Sequence, residues 1–236
     1  MKFNWSFLFV GLILLLTNCS DDDDESTPAP GGSGIGEAIA TYSLTLETNF
    51  TEATHPTDFP SGAMFGPLFG IAHGNETTLF RQNQIISDGF RAYVENGDTQ
   101  TLSVELTPND DETAEENFAI DINTTGAIGP ENSMSFEISV TPDTTFLSFA
   151  AVLNPSPDWF IGIDSFDLLG GNNVLIEEAT MDLFPLDAGF NDGATYTEEG
   201  SSENNGVSVI TGDPFIADPN LPFINPLATL TITRID

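Results

Sequence analysis

Met134-Ser135-Phe136-Glu137-Ile138-Ser139-Val140 alternates apolar and polar side chains without a break. A period of two sends Met134, Phe136, Ile138 and Val140 to one face and the polar residues to the other, the pattern of a half-buried strand. Working outward, Tyr42-Ser43-Leu44-Thr45-Leu46 and Leu102-Ser103-Val104-Glu105-Leu106 repeat it, and Leu227-Ala228-Thr229-Leu230-Thr231-Ile232-Thr233 closes the chain with another such run. Phe146-Leu147-Ser148-Phe149-Ala150-Ala151-Val152-Leu153 is nearly continuous in apolar character, which suits a central strand. Pro and Gly clusters punctuate these runs, no βαβ rhythm or internal repeat is present, and one short helix is expected near residues 84–88. The pattern predicts an all-β fold, an antiparallel β-sandwich in a single domain.

Composition supports a folded chain and narrows its partners. Nineteen Phe residues, beside 2 Trp and 3 Tyr, supply ample apolar surface for a core. Against 37 Asp and Glu stand 4 Lys and Arg, giving a formal net charge of −33. Beyond Lys2 the cations are Arg81, Arg91 and Arg234. A phosphate backbone is bound by basic side chains that displace its counterions, so this balance excludes nucleic acid as a partner. So acidic a surface keeps a protein soluble, is best tolerated where salt screens it, and makes cations its natural counter-charge.

The N-terminus reads as an export leader. Lys2 precedes an apolar run from Phe7 to Leu16, followed by Thr17-Asn18-Cys19. The run is too short to span a membrane comfortably, and residues 1–18 are expected to be a signal peptide. The segment resembles a lipoprotein signal, with Asn18 bulkier than the small residue usual before the lipidated cysteine. Cys19 is the lone cysteine, so no internal disulfide can form, and acylation accounts for it better than a free thiol does. Ser20-Asp21-Asp22-Asp23-Asp24-Glu25 and the Ser/Thr/Pro/Gly stretch after it cannot bury enough apolar surface to fold. Residues 19–39 are therefore expected to be a tether. The acidic block resembles the export signal that takes Bacteroidetes lipoproteins to the outer face of the outer membrane; a plain solvated charge run is the bland alternative. The expected location is the outer membrane, lipid-anchored and exposed at the cell surface.

Within the remaining residues 40–236, one long run is specific. Asn154-Pro155-Ser156-Pro157-Asp158-Trp159-Phe160-Ile161-Gly162-Ile163-Asp164-Ser165-Phe166-Asp167-Leu168 resembles the signature of the spondin N-terminal domain of F-spondin and mindin. Four further segments agree in order: His55-Pro56 with Asp58-Phe59-Pro60, Gly70-Ile71-Ala72-His73, Gly89-Phe90-Arg91-Ala92-Tyr93-Val94-Glu95-Asn96-Gly97, and Leu183-Phe184-Pro185-Leu186-Asp187-Ala188-Gly189. The resemblance implies a C2-like β-sandwich, extracellular adhesion or ligand binding, and a calcium ion. It places metal-ligating acids at Glu137, Asp158 and Asp187, with Asp164 in reserve. The disulfide cysteines and the basic character of the animal members are absent here, so the identity of the partner, an extracellular protein or glycan, does not carry over.

Catalytic chemistry finds little support. His55 and His73 lack zinc-like spacing, and a hydrogen-bonded structural role suits both. There is no Gly-x-Ser-x-Gly elbow and no phosphate-cradling glycine loop. Carboxylates are so abundant that any pair nominated for glycoside hydrolysis carries no weight. Asp187-Ala188-Gly189-Phe190-Asn191-Asp192-Gly193 comes nearest to an EF-hand loop but lacks its third-position carboxylate, so a calcium site must be assembled from distant segments. The expected function is a lipid-anchored surface binding or adhesion module and not an enzyme. The second reading, a carbohydrate-binding accessory lipoprotein, needs an aromatic platform, and Trp159, expected in the core, is a poor candidate for one.

Overall fold

The alternating runs become the first of two sheets. The computed structural model describes residues 39–106, 118–124, 126–171, 173–218 and 221–236. The expected leader, Cys19 and the tether through residue 38 lie outside these. Numbered along the chain, strands β1 (Ala40–Thr48), β4 (Ser133–Val140), β7 (Glu178–Leu183) and β12 (Ala228–Arg234) form a four-stranded sheet in the order β4-β1-β12-β7. Leu44 lies opposite Phe136 on one side and Ile232 on the other, so the apolar sets of three strands share one face. That face is buried, and Ser135 and Glu137 project to the exposed side of β4.

The second sheet has six strands in the order β3-β2-β5-β6-β8-β9: β2 (Met64–His73), β3 (Phe118–Thr124), β5 (Phe146–Asn154), β6 (Trp159–Asp167), β8 (Leu186–Asp187) and β9 (Ser208–Val209). A hairpin of β10 (Ile216–Asp218) and β11 (Leu221–Ile224) stands apart from both sheets. The strand pairings are antiparallel throughout, as expected for the sandwich. β5 is central and, apart from Ser148 and the terminal Asn154, apolar because both its faces are covered. Leu147, Phe149, Ala151 and Leu153 enter the core between the sheets, and Ala150 and Val152 enter a second core on the outer face.

Two helices close that second core, where the sequence suggested one short helix at residues 84–88. Helix α1 (Asp88–Asn96) starts later: Ser87 caps it by accepting the Phe90 amide at 3.1 Å, and Gly97 ends it in the left-handed region at φ 69°. Phe90, Tyr93 and Val94 pack onto Phe69, Ile71 and Phe160. Tyr93 donates its hydroxyl hydrogen toward the carbonyls of Pro67 and Ala150 at 2.8 and 2.9 Å.

Residues 102–106, read above as a strand, belong instead to helix α2 (Thr99–Leu106). The buried residues Thr99, Leu102 and Ser103 follow helical spacing, while Val104 is 59% exposed. Over five residues, apolar positions at 102, 104 and 106 fit either period, and the outer face of the sheet selects the helix. Leu102→Ala is therefore expected to cost about 2–5 kcal/mol and Val104→Ala less than about 0.5 kcal/mol, measured by denaturant unfolding. A strand would penalise both alike.

Candidate carboxylate site at the β6–β8 corner

The turn from β5 to β6 sets the first carboxylate. The Asn154–Pro155 peptide is cis, Ser156 Oγ donates to the Leu153 carbonyl at 2.6 Å, and the Trp159 amide donates to Ser156 Oγ at 3.1 Å. Asp158 is thereby held immediately before β6. β8 pairs beside it with Trp159 opposite Asp187, and the Ala188 amide donates to the Asp158 carbonyl at 3.1 Å. The two aspartates thus stand side by side, Asp158 just before β6 and Asp187 at the end of β8.

The loop after β8 wraps Asp158. Asp187 Oδ1 accepts the Gly189 amide at 2.7 Å, and the Phe190 and Asn191 amides donate to Asp158 Oδ2 at 2.9 and 3.0 Å. Gly189 takes φ 83°, and a Cβ there would collide with the Asn205 carbonyl, so glycine is required. Glu203 and Asn205 return along the same loop, their amides donating to the carbonyls of Phe190 and Gly189, each at 2.8 Å. From α1, the Arg91 guanidinium lies 4.8 Å from the centre of the Phe190 ring and clamps the loop from outside.

The electrostatics of this corner are strained. Asp158 is 1% exposed, and among the described residues its Oδ1 has no hydrogen-bond partner. Burial first, and then the neighbouring charge of Asp187, push its carboxyl up to about 6, against the three loop amides that favour the ionised form. Asp187 is also raised, chiefly by burial and further by Glu203, opposed by the Gly189 amide and a side-chain hydrogen bond from Trp159. A buried carboxylate with one oxygen unpartnered and another carboxylate beside it lacks a counter-charge. With oxygen as the donor atom throughout, the chemistry suits a hard cation.

Comparison with known proteins gives this corner a lineage. The Spondin_N family model matches residues 40–229, which run from β1 to the start of β12 and include both aspartates. The chain belongs to the Spondin_N family. It is 28% identical to human Spondin-2 over 218 residues, covering 87% of this chain and 65% of that protein, and 27% identical to rat Spondin-2 over 220 residues. Spondin-1 of Xenopus laevis is 31% identical over 165 residues, 66% of this chain and 20% of the relative. The chain thus spans just under two thirds of the length of Spondin-2 and a fifth of Spondin-1.

This Spondin_N domain brings together Asp158 and Asp187 but not Glu137. Glu137 lies in β4 of the other sheet, in register with Ser43 and exposed. Among the described residues no three His, Cys, Asp or Glu side chains converge as a metal cluster. Asp164, the reserve candidate, is occupied elsewhere: its Oδ1 accepts the Leu79 and Phe80 amides at 2.8 and 3.3 Å and lies 3.2 Å from Ser148 Oγ. Both histidines are buried and bonded through both ring nitrogens. His55 meets Thr54 Oγ1 and the Asn225 carbonyl, and His73 the Gly74 carbonyl and Ser148 Oγ. Burial lowers both and keeps them neutral at pH 7. Asn191 and Glu203 join the corner without having been singled out. Asn191 falls in the EF-hand-like run that begins at Asp187, whose backbone amides matter here more than its side-chain pattern, and Glu203 lies beyond that run with no local signal of its own.

Proposed function

We propose that this chain is a lipid-anchored, surface-displayed binding module of adhesion type, with a calcium ion held at the β6–β8 corner. One observation carries the calcium reading: among the described residues the buried Asp158 Oδ1 has no partner, and the charge of Asp187 acts on the same carboxyl, a combination that a cation would relieve. Asp158 and Asp187 would hold the ion, with loop carbonyls and water completing a shell of about six to eight oxygens. A bound divalent ion supplies the missing positive charge and ties the loop to the sheet. The anchor at Cys19 and the acidic block after it would set the module outside the cell, toward an extracellular protein or glycan.

Isothermal titration tests the metal limb: calcium is expected to bind with about one equivalent and magnesium far more weakly, since magnesium demands a tighter octahedral shell. Equal binding of both ions, or none, defeats it. Protease shaving of intact cells tests display. Cys19→Ala is expected to release or leave unprocessed the protein, and replacing residues 21–25 by Ala to shelter it from protease; unchanged cleavage of the second variant defeats the export reading.

A further inference from the structure

A cavity of about 680 Å³ runs beside β6, and neither Asp158 nor Asp187 lines it. Its floor is the unbroken run of residues 162–167. A sheet face would present alternate residues, because successive side chains point to opposite sides; a consecutive run marks the edge of the strand. β8 pairs only with Trp159 and Phe160, and among the described residues no strand lies beside the rest of β6 on the side away from β5. Across the cavity, Asp182 belongs to β7, itself the last strand of the four-stranded sheet. The four-stranded sheet therefore ends here in β7, and the six-stranded sheet leaves this stretch of β6 unpaired on one side.

We propose that this open edge of β6 takes up an extended peptide as an added strand, whose basic side chains meet Asp167 and Asp182. The repeating amides and carbonyls of a strand edge match another extended backbone better than the hydroxyls of a sugar, which favours peptide over glycan. The edge is recessed between two walls. Phe80 and Arg81 stand on one, held where Asp164 accepts the Leu79 and Phe80 amides, and Asp182 and Phe184 stand on the other. A single chain enters such a slot, whereas the equally recessed edge of a second copy does not. The register shift between Leu147 and Phe149 and the positive φ of Ser165, 52°, interrupt the edge and limit pairing to a short segment.

Charge selects the side chains of the partner. Asp167 and Asp182 are exposed, accept only neutral donors, the Leu169 amide and the Thr229 hydroxyl, and have no ion pair among the described residues. The net charge of −33 adds attraction for any basic segment. Arg81, also without an ion pair among the described residues, offers donors to a peptide carbonyl at the Phe80 end.

The test is NMR titration of the full chain in detergent micelles with a peptide of about eight residues alternating valine and lysine. Amide shifts centred on Ile163, Ser165 and Phe166 are expected, with affinity falling about tenfold or more in three comparisons: when alternate peptide nitrogens are methylated, when glutamate replaces lysine, and in the Asp167→Asn/Asp182→Asn variant. Equal binding of the methylated peptide would reduce the effect to charge alone and overturn strand addition. Shifts elsewhere, no binding at millimolar peptide, or binding of a neutral oligosaccharide at these residues in place of the peptide would overturn it too.

Discussion

Replacing Trp159 by Ala is expected to cost about 3–5 kcal/mol and to lower the melting temperature by about 10 °C or more. The indole is 3% exposed and packs edge-on against Phe215 and Tyr196, with ring centres 5.1 and 5.4 Å away. Phe50 joins the same cluster through both rings, so truncation would leave a cavity lined by stiff aromatic groups that cannot collapse into it. Trp159 also donates a side-chain hydrogen bond that favours the ionised form of Asp187. Trp159→Phe separates the two roles, because it keeps most of the packing and loses the donor. It should fall well short of the alanine variant in stability loss and still weaken calcium binding. Chemical denaturation with and without calcium reads both effects. A Trp159→Ala protein of wild-type stability that has lost ligand binding would instead make the indole a binding platform.

Without calcium, Asp158→Asn is expected to stabilise the protein at pH 7 by up to about 3 kcal/mol, the free-energy equivalent of a carboxyl raised from 3.8 to about 6. The sign follows from the direction of the shift. Below about pH 4 the carboxyl is protonated in folded and unfolded chains alike and carries no penalty. As pH rises from about 4 to 6 the unfolded chain ionises first, stability falls, and the full penalty is present above about pH 6. In the variant an amide oxygen can still accept the Phe190 and Asn191 amides, and its NH₂ takes the position of the unpartnered Oδ1 without carrying a charge. In chelator, the wild type should lose stability between pH 4 and 6, and the variant should lack that component. A variant less stable than wild type in chelator at pH 7 would mean that the Asp158 charge is already compensated.

The sequence was most legible where one physical rule acted alone. β1, β4 and β12 bury one face against the other sheet, and their alternation says so directly; β5 buries both faces, and its nearly continuous apolar run says that. β2 also buries both faces, but Gly66, Pro67 and Gly70 interrupt the run, so it did not read as a strand. The helices were hidden for a different reason: the pattern of α2 is too short to distinguish the two periods, and the start of α1 rests on one serine cap. At the candidate site, Asp158 and Asp187 were legible through the motifs around them. Glu137 carried the same residue chemistry, yet the topology assigns β4 to the other sheet, a separation that no local pattern encodes. The loop amides that wrap Asp158 have no side-chain signature at all, and the open edge of β6 arises only because β8 stops after two residues.

Thermal unfolding in calcium and in chelator tests the central claim most directly. Because an ion bound only by the folded state stabilises it by linkage, calcium is expected to raise the wild-type melting temperature in a concentration-dependent way. The shift should vanish in Asp158→Asn and Asp187→Asn and persist in Glu137→Gln. No calcium-dependent shift in the wild type, or a full shift retained in both aspartate variants, would contradict a calcium site at the β6–β8 corner.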